Sequence, residues 1–131
     1  SWGGMGILWH LPVATIYIRP QRHTFIFAER SEYFSLSFFD NEHKDILKFC
    51  GSKSGRDYDK VKETGLIPFQ TEFGTIGYEQ ARMIMECRKL YADDIKPDKF
   101  ISAELIKKNY PAKDFHRLYI GEIVNVYIKT A

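Results

Sequence analysis

Apolar and polar positions alternate in some stretches of this chain and cluster in others, and the pattern divides it into elements. Val13-Ala14-Thr15-Ile16-Tyr17-Ile18 is β-branched and aromatic and predicts a buried strand over residues 12–19. Pro20 stops it, because the proline ring removes a ladder donor. Residues 24–31 predict a short helix with Phe25 and Phe27 among its apolar side chains and Thr24 as its N-cap. Tyr33 to Phe39 alternates small polar with large apolar residues, the pattern of a half-buried strand. Asp40-Asn41-Glu42 then caps a helix from about His43 to Phe49, and the acidic cap suits the helix dipole. Gly51 ends that helix, and Asp57 starts another that runs to about Thr64 before Gly65.

Residues 66–77 hold short extended pieces and turns around Pro68 and Gly74. A long strand follows over residues 81–91, with Met83, Met85, Cys87 and Lys89 on one face and Ile84, Glu86 and Arg88 on the other. Cys87 reads as a buried core thiol. Residues 93–111 are charged and punctuated by proline, with a short helix near 103–108; so long a connection suggests a binding lid or a subunit contact. Residues 115–128 read as the last strand, in which Gly121 marks a bulge or a close approach. Residues 1–12 form a Gly/Trp/Pro-rich segment read as a loop. Its glycines do not have the spacing of a dinucleotide fingerprint. Four strands joined by helices and long loops fit a mainly β fold, an antiparallel barrel with peripheral helices, better than a parallel βαβ sheet.

Composition narrows the function classes. With 131 residues, the chain suffices for a single domain over 1–131. Aromatics at 15% suit a β core or a flat ring-binding site. A net charge of +2 gives no strong field for nucleic acid, and the apolar runs are short and broken by charge, so neither nucleic acid nor membrane is expected as a partner. Cys50 and Cys87 are isolated and form no CxxC pair, which points to free thiols in a reducing, cytoplasmic setting. No metal is expected. The chain opens on Ser1-Trp2-Gly3-Gly4 without an initiator methionine, and residues ahead of it, including further strands, are expected to be missing.

Two stretches carry candidate chemistry. Ile18-Arg19-Pro20-Gln21-Arg22-His23-Thr24 places two guanidiniums and a hydroxyl at the mouth of a helix, where free backbone N–H groups favour an anion. The alternative is a solvated basic turn with an ordinary cap. Cys50 to Lys60 holds a loop of small hydroxyls, glycines and the cations Lys53 and Arg56. It lacks the first glycine of GxxxxGK[ST], so a triphosphatase loop is rejected. A looser anion-binding role for Ser54, Gly55, Arg56 and Lys60 stands beside the reading of a solvated loop between helices. His116, beside Asp114, is a lone histidine at the start of the last strand.

Taken together, Ser1-Trp2-Gly3-Gly4, the 18–24 stretch, Cys50 to Asp57 with Lys60, and Asp114-Phe115-His116 with Gly121-Glu122-Ile123 resemble the flavin reductase-like, FMN-binding split-barrel family, and its flavoredoxin-like bacterial branch most. The order and spacing correspond across nearly the whole chain. The resemblance implies a homodimer of split β-barrels with FMN, or FAD, near the subunit interface. The Ser1–Gly4 loop would lie along the isoalloxazine, with Ser1, Trp2 and Gly3 in contact. Arg19, Pro20, Arg22 and Thr24 would hold the phosphate together with Ser54, Gly55, Arg56 and Lys60. Reductase members carry a Gly-Asp-His triplet linked with nicotinamide binding, which assigns His116 to the substrate NAD(P)H. Here Asp114 and His116 stand one residue further apart, and Lys113 occupies the expected glycine position.

The implied reaction moves electrons from NAD(P)H to flavin and on to an acceptor, and it requires no protein acid or base as a catalytic residue. Two other readings are an electron-transfer protein with a protein donor or acceptor, and a flavin-binding module without turnover.

Overall fold

A strand over residues 117–128 lies in the middle of the main sheet. The computed structural model describes residues 2–130. Its elements are β1 (Trp2–Leu8), β2 (Leu11–Ile18), α1 (His23–Arg30), β3 (Tyr33–Phe38), α2 (Lys44–Ser52), α3 (Lys60–Thr64), β4 (Pro68–Gln70), β5 (Ile76–Tyr78), β6 (Met83–Asp94), α4 (Ala103–Asn109) and β7 (Arg117–Ile128). Five strands form an antiparallel sheet in the order β1-β2-β7-β6-β3, and β4 and β5 form a separate hairpin. The fold is mainly β with a few peripheral helices, as the pattern predicts.

Several boundaries differ from the sequence-based expectation. The opening segment is a strand, not a loop: Trp2 to Leu8 pairs with β2 from Tyr17 to Leu11. Its glycines have low strand propensity, but the β-branched β2 supplies a complete template for them. The two strands join through Trp9 and His10, both at positive φ (52° and 60°), as the right-handed twist of a two-residue hairpin requires. Helix α1 starts a residue earlier than expected, so Thr24 lies in its first turn and Arg22 takes the N-cap position without a side-chain capping bond. Helix α2 is preceded by a short 3-10 turn at Asn41–His43 and continues through Gly51 to Ser52. Helix α3 begins at Lys60 instead of Asp57, because the Asp59 carboxylate accepts from the Lys62 N–H (3.2 Å) and fixes the start there. Strand β6 runs on to Asp94, because β7 offers it partners as far as Arg117.

The β6–β7 ladder is long and broken by two register shifts, which fall where Val124 and Leu90 are the unmatched residues. Gly121 sits between the shifts and is buried. A Cβ there would come within 2.6 Å of the Phe34 ring and 2.9 Å of Cys87 Cβ. The close approach expected of this glycine is therefore real, and it lets the β3 aromatic lie flat on the central strand. Cys87 is fully buried, and burial together with the neighbouring Glu86 pushes its thiol up to about 12. It remains a protonated core residue.

Glu86 is fully buried too, on the opposite side of the strand from Cys87. Its carboxylate accepts from the Thr71 and Thr75 hydroxyls, Asn125 Nδ2 (3.0 Å) and the Phe73 N–H, which ties the β4–β5 hairpin to the sheet. Burial pushes this carboxyl up, and the donors from Thr71, Asn125, Thr75 and Phe73 more than offset it, so it titrates below the ordinary range and stays charged. Ser35 Oγ adds a bond to the Ile76 carbonyl (2.7 Å). Replacing Glu86 with Ala leaves four donors facing an apolar hole. The expected loss is about 2–4 kcal/mol in urea unfolding, with the hairpin the first segment to lose protection in hydrogen exchange.

Candidate functional site

Strand register brings the chemically interesting residues to one end of the sheet. Trp2 lies opposite Tyr17, and Ile18 lies opposite Arg117. The start of β1, the end of β2 and the start of β7 therefore share an edge, and the Arg19–Arg22 turn leaves from it. Trp2 and Gly3 belong to β1 in this arrangement rather than to a loop, and Ser1 lies outside the described residues.

The turn is built around Pro20, with the Arg22 N–H donating to the Arg19 carbonyl (3.1 Å). Arg19 points back into the protein. Its guanidinium donates to the Asn109 carbonyl (2.7 Å), pairs with the Asp114 carboxylate (2.8 Å) and stands 4.9 Å above the Tyr110 ring. Gln21 Nε2 also donates to Asp114 (2.5 Å). The Gln21 bond first, and Arg19 with it, hold the Asp114 carboxyl below the usual range. Arg19 thus fastens the turn to the connection between α4 and β7. Arg22 is exposed at the head of α1.

The second candidate stretch folds onto the same helix start. Arg56 Nη1 donates to the Gln21 carbonyl (2.8 Å). Gly55 rests against the His23 ring so closely that a Cβ would lie 2.9 Å from its Cδ2. Ser54 organises the loop: its hydroxyl accepts from the Arg56 N–H, and its carbonyl accepts from Asp57 and Tyr58. Lys60 closes the base by donating to the Cys50 carbonyl (2.6 Å). Between loop and helix opens a concavity of about 590 Å³, lined by Thr24, Phe27, Gly55, Arg56, Tyr58 and Lys60 among others. Thr24, Gly55, Arg56 and Lys60 meet there, whereas Arg19 is turned away and Ser54 acts through the loop backbone.

This wall suits a phosphate. The first turn of α1 has no side-chain cap: the Phe25 N–H donates to the Arg22 carbonyl (3.0 Å), while the His23 and Thr24 N–H groups find no backbone partner, and the Thr24 hydroxyl lines the concavity with Arg56. His23 Nδ1 is enclosed without a hydrogen-bond partner in the same wall. Of the two acidic residues lining it, Asp59 is engaged at the start of α3. A second, smaller concavity of about 390 Å³ runs along the β1–β2 surface between Gly3 and Leu8.

His116 is buried at the start of β7, with Nδ1 2.6 Å from the Tyr110 hydroxyl. Burial first, then the positive charge of Arg19, lowers its titration below the ordinary histidine value. Sequence reasoning passed over Tyr110, which sits in the charged, proline-punctuated connection. With Phe100 and Phe115 it forms an aromatic cluster with ring centroids 4.6–6.2 Å apart. The three rings spaced through residues 100–115 were the available sign. Lys113, at the position where the family pattern has glycine, adopts φ 57° and donates its N–H to the Tyr110 carbonyl.

Residues 9–131 match the flavin reductase like domain, and the chain belongs to that family. Among solved structures it is similar to an FMN-binding protein from Thermus thermophilus with bound 1-cyclohex-2-enone. Identity there is 25% over 97% of this chain and 59% of that one, with a TM-score of 0.73. The flavoredoxin of Desulfovibrio vulgaris (Miyazaki F) superposes with a TM-score of 0.73 at 19% identity, covering 98% of this chain and 58% of that one. Nitrilotriacetate monooxygenase component B from Bacillus cereus does so at 0.74 with 14% identity, covering 98% and 59%. These last two likenesses are of fold alone. The chain spans about three-fifths of each of these proteins. No curated protein matches it by sequence. No helix among the described residues is long and apolar enough to cross a membrane.

Two outcomes follow from this geometry. Lys113→Gly removes a side chain from a left-handed position and should raise stability by about 0.5–1 kcal/mol in urea unfolding. His116, whose folded titration is lowered, contributes stability that is complete above the ordinary value of 6.5 and is lost as pH falls through the lowered one. Melting temperature should therefore drop between neutral pH and about pH 5, above the carboxylate range, and His116→Gln should flatten that slope.

Proposed function

We propose that this chain is the flavin-binding part of an oxidoreductase that takes electrons from NAD(P)H through FMN to an acceptor. The observation that carries the reading is the uncapped start of α1 facing Arg56 across the Thr24–Gly55 wall, a site matched to a phosphate dianion. Family membership and the FMN-binding Thermus protein support the choice of FMN.

In this reading the α1 N–H groups, the Thr24 hydroxyl, Arg22 and Arg56 hold the phosphate, since charge-assisted donors are stronger than neutral ones. Gly55 lets the loop backbone come close, and Ser54 and Lys60 fix the loop's shape. Pro20 and Arg19 set the turn. Trp2 and Gly3, at the start of β1 opposite the end of β2, border the ring. When bound, flavin supplies the hydride-accepting ring. The protein's part is to orient the ring, to admit the nicotinamide beside His116, and to shield both from water. The free edge of β1, with Met5 and Ile7 exposed on the strand and Trp9 exposed at the turn that follows it, is the face we assign to a homodimer.

The test is an absorption spectrum of the chain with added FMN, followed by anaerobic NADH titration. A bound flavin band that bleaches is expected. A band that persists overturns NAD(P)H as donor, and a failure to bind FMN removes the whole reading. Arg56→Ala should weaken FMN binding about 10–100-fold in fluorescence titration, from the loss of a charge-assisted bond. An unchanged dissociation constant would take Arg56 out of the site.

A further inference from the structure

The Tyr110–His116 pair is the most enclosed polar contact at the site end of the sheet. Both residues are buried and their bond is 2.6 Å long. Among the described residues no other group bonds to the His116 imidazole, whose backbone carbonyl accepts from the Ile95 N–H, and its Nε2 is not sealed in. A phenol hydroxyl is a better donor and a poorer acceptor than an imidazole nitrogen, so the hydroxyl donates and Nδ1 accepts. Arg19, 4.9 Å above the Tyr110 ring, strengthens this polarity, because a cation on the ring face makes the phenol more acidic. The same cation opposes an imidazolium next door. With Nδ1 occupied as an acceptor, the ring proton must sit on Nε2.

We propose that Tyr110 is a positioning residue that fixes His116 as its Nε2–H tautomer, so that this N–H is offered to a carbonyl acceptor on the reductant. The carboxamide of nicotinamide is the group of that chemistry. The inference rests on the proposed reaction for its ligand, and on the structure alone for the tautomer. Arg19 is then a positioning residue one step removed, joining the phosphate turn to the ring that holds the histidine. Tyr110 would act on binding of the reductant and not on flavin.

The experiment is a long-range 15N–1H correlation spectrum of the FMN-supplied chain at pH 7.5, with His116 assigned by the signals missing from His116→Gln. The Nε2–H pattern is expected in the parent chain, and a mixture of tautomers in Tyr110→Phe. The same variant should raise KM for NADH about tenfold, the worth of one hydrogen bond, while kcat and FMN affinity stay within about twofold. An Nδ1–H pattern in the parent chain overturns the inference even if NADH is oxidised, and needs no variant to fold. An unchanged KM in Tyr110→Phe overturns it as well. An Nε2–H pattern with no NADH oxidation overturns the proposed reaction and the ligand named here, and leaves the hold of Tyr110 on the ring standing.

Discussion

Arg19 is the contact on which the site end of this protein depends. One guanidinium reaches the Asn109 carbonyl, the Asp114 carboxylate and the face of Tyr110, and so joins the turn after β2 to the connection before β7. The sheet already brings those two segments side by side at Ile18 and Arg117. Arg19 sets their angle. Because the charge is half-buried and every listener to it is local, a lysine in its place would lose the planar fork that serves a carbonyl and a carboxylate at once. The 53–57 loop is attached only at the next step, through Arg56 and the Gln21 carbonyl. The Thr24–Gly55 wall and the Tyr110–His116 pair are thus both tied to one braced turn.

The sequence made the strands legible wherever β-branched and aromatic residues set the period. Residues 13–18 and 33–38 appear as strands with nearly the expected bounds, and Gly121 appears at a close approach. The opening strand was hidden because Gly3, Gly4 and Gly6 carry no pattern; only pairing with β2 makes that segment extended. Glu86 was assigned a face by alternation, but nothing local announces that Thr71 and Thr75 would bury it. That depends on a hairpin whose position is fixed by tertiary packing.

Legibility of the site followed the same division. The anion-seeking character of residues 18–24 and 50–60 was visible in their residue types, and the fold brings the two stretches against one helix start. What residue type did not reveal is the allocation of cations: Arg19 turns inward, Lys60 serves a helix carbonyl, and Arg56 and Arg22 face outward. The ring spacing through residues 100–115 could mark Tyr110 as clustered, but not its bond to His116, which depends on a turn held by a left-handed lysine.

The central place of β7 has a consequence for how the protein comes into being. Its partners β2 and β6 are separated by the length of the chain between Ile18 and Met83, and β7 leaves the ribosome after the other four strands of its sheet. Until it arrives, the β1–β2 hairpin and the β3–β6 pair are two ribbons with no shared ladder, each with an open edge. Pairings as distant as Val13 with Glu122 close large loops, which slows folding relative to a protein of local contacts. Assembly is therefore expected to be a cooperative event that waits for synthesis of residues 117–128, and a nascent chain stalled short of them would hold its strands exposed to wrong neighbours.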